Sequence, residues 1–186
     1  MHDNDVLRTI RGRRSVIRFT DQPVHDDELA AILEAGRWAP SYINSQPCEF
    51  LVVRDATSRA RLAEILRRIT VAWQGFATAP ASIVVMADPA RDPRHFSADG
   101  AAAVQNMCLA AHSLGLATFW AGLHATPETR GSAESELKAA LGIPPALQLV
   151  AVVPIGHPAY EAGTSRRPLS EIVHLETYGT LMGEHT

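Results

Sequence analysis

The run at 147–155, Leu-Gln-Leu-Val-Ala-Val-Val-Pro-Ile, is the strongest strand signal in the chain and restricts its fold more than any other feature. It and the apolar run at 83–87 fall far short of the ~20 residues a membrane helix needs. Helices alternate with strands around them. Val6, Leu7 and Ile10 have helical spacing just before an arginine cluster, and Phe19 to Val24 is a turn-rich connector. Asp26, Asp27 and Glu28 open a second helix, where negative charge meets the positive end of the helix dipole; its core face is Leu29, Ile32, Leu33 and Gly36, and Pro40 closes it. A polar loop at 41–47 leads to a strand at 50–53. Thr57 or Ser58 caps a helix bearing Leu62, Ile65, Leu66 and Ile69, followed by an irregular stretch at 73–80 and a strand at 82–87. The charged, proline-containing segment 88–97 reads as an exposed loop. From Asp99 an Ala-rich helix turns Val104, Met107, Cys108, Ala111 and Leu114 inward, with Gly115 as C-cap. A strand at 116–121 and a short helix at 132–141 precede the 147–155 run. Pattern alone suggests a parallel α/β sheet.

At 186 residues a single domain spanning 1–186 is expected, and 46% hydrophobic against 20% charged residues argues against disorder. The polar start, Met1 to Arg14, lacks the apolar core of a signal peptide, so a soluble, cytoplasmic protein is expected. A net charge of −3 provides no global attraction to nucleic acid or anionic lipid, although arginines cluster locally at 11–18, 67–68 and 166–167. Cys48 and Cys108 have no metal or redox spacing, the eight histidines form no ligand pair, and no metal site is expected. The G-x-G-x-x-G fingerprint of a dinucleotide-binding unit is absent, which argues against a tightly held nicotinamide cofactor.

Four segments in order along the chain carry a family resemblance. They are Arg11-Gly-Arg-Arg-Ser-Val-Ile-Arg-Phe19, Ala39-Pro-Ser-Tyr-Ile-Asn-Ser-Gln-Pro47, Gly115-Leu-Ala-Thr-Phe-Trp-Ala-Gly122 and Ser165-Arg-Arg-Pro-Leu-Ser-Glu-Ile-Val173. Each is weak alone, but their order and spacing resemble the nitroreductase family. The resemblance replaces the parallel sheet with an α+β fold: a mixed, mostly antiparallel sheet flanked by helices, in an intertwined homodimer. It also accounts for the long tail, with the segment from about 157 to 186 expected to wrap the partner subunit.

The resemblance further implies FMN, whose phosphate dianion requires converging donors that planar guanidinium groups supply well. Arg13 and Ser15, with one or both of Arg166 and Arg167, are expected to form that cradle, with Arg14 beside them. The family often has lysine where this chain has Thr164, so one charge is missing. Pro40, Ser41, Tyr42 and Asn44 are expected to reach the flavin of the other subunit; read without the resemblance, 41–44 is a plain turn. Trp120, Ala121 and Gly122 are expected to pass along the flavin ring, Trp120 being equally readable as a core aromatic ending a strand. Trp73 and Phe76 either line the substrate pocket or pack at the dimer interface. Cys48 stands where the family usually has Trp, and is read as a small buried residue and not a redox nucleophile.

The implied activity is an oxidoreductase passing hydride from NADH or NADPH through FMN to an electron-poor acceptor (a nitroaromatic, quinone or similar) by a ping-pong mechanism. No side chain presents itself as an indispensable acid or base, as expected where the cofactor carries the chemistry. Alternatives within the fold are dehalogenation, enal or semialdehyde reduction, oxygen-dependent modification, or flavin binding without catalysis.

Overall fold

The apolar run becomes β5 (Gln148–Gly156), the strand around which the sheet is assembled. The computed structural model describes residues 2–123 and 127–182, the stretch 127–132 as backbone only. On one side β5 pairs with β2 (Ala81–Ala87), which in turn pairs with the edge strand β1 (Cys48–Val53). On its other side lie two short strands, β3 (Ala117–Thr118) and β4 (Ala121–Gly122). All these pairs are antiparallel, and a parallel bridge joins Ser15 to Thr118. The α+β expectation therefore holds and the parallel-sheet pattern does not. Near-continuous apolar strands report that both faces are covered; they do not encode the direction of a neighbour.

Two helical layers provide that cover. Helices α2 (Asp26–Arg37) and α5 (Phe96–Ser113) place Leu29, Ile32, Val104, Met107 and Ala111 over Ile83, Val85, Val153 and Ile155. Helices α3 (Ala56–Leu66), α4 (Gln74–Thr78) and α6 (Pro127–Leu141) place Leu62, Ile65, Phe76 and Leu137 over Val84, Leu149 and Val152. The remaining helix, α1 (Asp5–Gly12), meets α5 and buries none of its own residues.

Several boundaries differ from the sequence expectation, each for a local reason. Helix α3 is capped by Asp55, whose carboxylate accepts from the Ser58 N–H at 2.8 Å, a stronger acceptor than the expected Thr57 or Ser58 hydroxyl. Helix α5 begins three residues before Asp99 and α6 begins at Pro127, well before 132; proline suits a first helical position, where its missing N–H has no partner to lose. The expected strand at 116–121 is split in two because buried Phe119 turns into the core while Trp120 faces outward. Of the tail at 157–186, the last four residues lie outside the described residues.

A bulge seats α5 on the sheet. Val85 lies opposite Ala151 but Met86 opposite Leu149, so Val150 is the extra residue, and both Val150 and Ala151 face the α5 side. A Cβ at Gly100 would come within 2.6 Å of the Val150 side chain, so the helix can approach only because that Cβ is missing. Overpacking costs about 1–3 kcal/mol and better helix propensity returns about 1. Gly100→Ala is therefore expected to lower the urea midpoint, and to be neutral or stabilising in a Val150→Ala background.

Candidate functional site

The end of α1 and the start of the tail are joined by backbone pairing. Val16 N–H donates to the Thr118 carbonyl at 3.0 Å, which ties the Arg13–Ser15 segment to β3. Thr20 N–H donates to His157 at 3.0 Å and Ala159 N–H to Arg18 at 3.1 Å. The Arg18 guanidinium lies 5.0 Å above the Tyr160 ring, whose hydroxyl accepts from Ile17 N–H at 3.3 Å. This zipper brings Thr164 and Arg166 beside Arg13, Arg14 and Ser15, leaving a cleft of about 160 Å³ between them.

Its donor chemistry is that of an anion site. Arg14 is held by the carbonyls of Arg11 and Gly12, at 2.5 and 3.1 Å. Arg166 donates to the Thr164 hydroxyl and the Ser165 carbonyl, each at 2.8 Å, so Thr164 orients the arginine without replacing the lost lysine charge. The backbone N–H of half-buried Arg13 donates to the Thr9 carbonyl at 3.0 Å, while its guanidinium has no hydrogen-bond acceptor among the described residues. Arg167 is directed elsewhere, pairing with Glu171 at 3.2 Å, and does not line the cleft. Three guanidinium groups and the hydroxyl residues Ser15 and Thr164 thus line one cleft that no carboxylate lines among the described residues, a set that fits a phosphate.

Pro40 and Ser41 line a different cleft, of about 360 Å³, with Gln46, Cys48, Arg91 and Asp99; it shares no residue with the arginine cleft. The segment between them is strained. Ile43, Asn44 and Gln46 all have positive φ, at 45°, 59° and 49°, and Ile43 is a β-branched residue left 83% exposed. Side chains impose this shape. Tyr42 N–H donates to both carboxylate oxygens of buried Asp99, at 3.2 and 3.3 Å, and Gln46 N–H donates to the Ser41 hydroxyl at 2.9 Å. The Tyr42 ring stacks on His95 at 4.1 Å, and His95 Nδ1 is 3.2 Å from Asp92. Burial pushes the Asp92 carboxyl up, but N–H groups of His95 and Arg94 outweigh this and hold it below the usual carboxylate range.

Asp92 is a correction to the exposed-loop reading of 88–97, since it is only 3% exposed. Sequence reasoning also missed Asp99 as a site residue. Its place at a helix start was legible, but its bond to Tyr42 spans 57 positions and leaves no local signal.

The other expected site residues divide. Ala121 and Gly122 form β4 against Val152 and Ala151, three residues beyond the Thr118 that Ser15 and Val16 engage. Trp120 is 42% exposed, which removes the reading of it as a core aromatic. Trp73 lines an outer groove with Ile17 and Arg18. Phe76 does not join it there: it is fully buried, edge-on to Phe119 at 4.8 Å, because α4 needs one aromatic to anchor it to the core. No group of three or more potential metal ligands occurs among the described residues, and no described helix is long and apolar enough to cross a membrane.

The model of the Nitroreductase family matches residues 10–74 and 67–157 of this chain. The chain belongs to the nitroreductase family. It is 36% identical over 163 residues to a protein of Archaeoglobus fulgidus provisionally named NADH dehydrogenase/NAD(P)H nitroreductase, covering 84% of this chain and 87% of that one. It is 29% identical to an FMN reductase [NAD(P)H] of Bacillus subtilis, covering 94% and 75% of the two chains. A crystallised protein of Desulfovibrio desulfuricans, provisionally named a nitroreductase and solved with FMN, superposes with a TM-score of 0.80 at 38% identity over 95% of this chain and 99% of that one.

Cys48 departs from the nitroreductase motif and behaves as a packing residue. Burial, and then the charge of Asp99, push its thiol up to about 11 from 9.0. Two units correspond to roughly a hundredfold less thiolate below that range. Alkylation of Cys48 by iodoacetamide at about pH 8 is expected to run at least tenfold slower than that of an exposed thiol, and to accelerate until the pH passes about 11. Fast labelling at neutral pH would contradict this.

Proposed function

We propose that this nitroreductase is an FMN-dependent NAD(P)H oxidoreductase that passes hydride to an electron-poor acceptor, such as a nitroaromatic or a quinone, by a ping-pong mechanism. The observation that carries the reading is the convergence of Arg13, Arg14, Ser15 and Arg166 on one small cleft, joined through the Thr118 pairing to β4. The relatives named for FMN and NAD(P)H support it.

On this reading the arginine cleft holds the FMN phosphate, and Trp120, Ala121 and Gly122 run along the ring. Bound there, FMN would supply the hydride chemistry between NAD(P)H and the acceptor. The chain's own residues bind and orient. The guanidinium groups fix the phosphate end, and the small side chains of β4 allow close approach of backbone to ring. Protons come from solvent on this reading, as expected where the cofactor carries the chemistry.

The second cleft belongs to a site completed by another subunit. Pro40, Ser41, Tyr42 and Asn44 share no cleft with Arg13 within one chain, so the reading places them against the FMN of a partner. Uncovered apolar surface supports the homodimer. Val6 and Ile10 on α1 are 65% and 48% exposed, and Leu169, Ile172 and Leu175 of the tail are also open. The segment at about 157–186 is taken to wrap that partner, where burial of these side chains would repay its ordering.

Purified protein is expected to be yellow, to release FMN at about one per subunit, and to oxidise NADH or NADPH across an acceptor panel. Protein that neither holds nor takes up FMN would end the proposal. Arg13→Ala and Arg166→Ala are expected to weaken FMN binding by roughly ten- to a hundredfold, the value of a charge-assisted bond, while leaving riboflavin binding unchanged. Sedimentation is expected to give the mass of two chains, and removal of 157–186 to abolish that species.

A further inference from the structure

His112 lies in the last turn of α5, directly behind the arginine cleft. Its ring presses on the backbone where α1 ends: the position a Cβ would take on Gly12 is 2.6 Å from His112 Nε2. Gly12 is the residue immediately before Arg13, Arg14 and Ser15, so the ring supports the root of the segment that carries three of the cleft's donors. His112 also shares a second groove of about 320 Å³ with Arg14, Val16 and Glu161, and this groove adjoins the anion cleft through Arg14 and Ala162.

The charged and titratable groups around the ring come from three elements. Arg13 and Arg14 lie at the end of α1, where Arg11 is engaged by Asp3. Glu161 lies across the groove on the tail, and Cys108 is one turn back on α5. The two arginines dominate over the single carboxylate. Burial first, and then the charges of Arg13 and Arg14, hold the imidazole below its ordinary basicity.

We infer that His112 is a positioning residue of the anion cleft, bracing Gly12 and taking up a proton when a phosphate dianion binds between Arg13, Arg14 and Arg166. The inference rests on the reading of that cleft as the FMN phosphate site. A dianion offsets the positive charge that disfavours imidazolium, so the ring binds its proton more readily in the complex than in the free protein. Binding linked to proton uptake strengthens as pH falls through the interval between those two titrations. That interval begins below the ordinary imidazole value of about 6.5 and extends upward in the complex. The linkage is local and requires no rearrangement of the fold.

The test is FMN affinity, read by flavin fluorescence for the wild-type chain and His112→Gln between about pH 8 and about pH 5.5. Titration of the FMN phosphate itself is common to both proteins and cancels in the ratio of their dissociation constants. Wild type is expected to gain on the variant by about three- to tenfold as pH is lowered, and riboflavin, which lacks the phosphate, to show no such gain. A ratio flat with pH overturns the inference. So does a His112 ring NMR titration in the wild-type protein that does not move to higher pH when FMN is added, a readout that survives if the variant fails to fold. FMN binding with a flat ratio defeats this inference alone, whereas no FMN binding at any pH defeats the site reading as well.

Discussion

Burial of β5 on both faces is the constraint on which the rest of this nitroreductase depends. Its apolar run is continuous because α2 and α5 cover one face while α3, α4 and α6 cover the other. A strand so enclosed must also satisfy its backbone groups along both edges. β2 does this on one side, and β3 and β4 do it on the other. The second edge then becomes the anchor for function. β3 fixes the Arg13–Ser15 segment through the Thr118 carbonyl, and β4 is the small-residue strand that follows it, paired with Val152 and Ala151.

Charge is distributed unevenly over this frame. The chain as a whole is mildly acidic, yet three guanidinium groups face one cleft of about 160 Å³. Like charges at that spacing repel unless an anion separates them, and the carbonyls that engage Arg14 and Arg166 only partly relieve this. The neighbouring imidazole of His112 registers the same field. An anion between them would relieve that repulsion, the basis on which the cleft is proposed as the phosphate site.

The strained segment around Ile43 is a second expenditure of stability. Three non-glycine residues with positive φ lie within four positions, held by buried Asp99 and by the Tyr42–His95–Asp92 stack. An ordinary turn after a proline-stopped helix would need none of these supports. Their presence shows that the shape of 41–46 is held by contacts from distant parts of the chain.

What the sequence determined by itself was local. The strand at 147–155, the acidic opening of α2 and the inward face of α5 as far as Ala111 follow from periodicity and end chemistry, which act within a few residues, whereas Leu114, also expected inward, is the exposed C-cap. The four ordered motifs identified the family, and through it the antiparallel sheet. Tertiary structure decided what depends on distant partners. Strand direction was one such matter, because an apolar run does not carry its neighbour's orientation. The burial of Phe76, the diversion of Arg167 to Glu171, and the roles of Asp92 and Asp99 were others. So was the contact of His112 with Gly12, one hundred positions apart in the chain and meeting only because α1 docks on the end of α5.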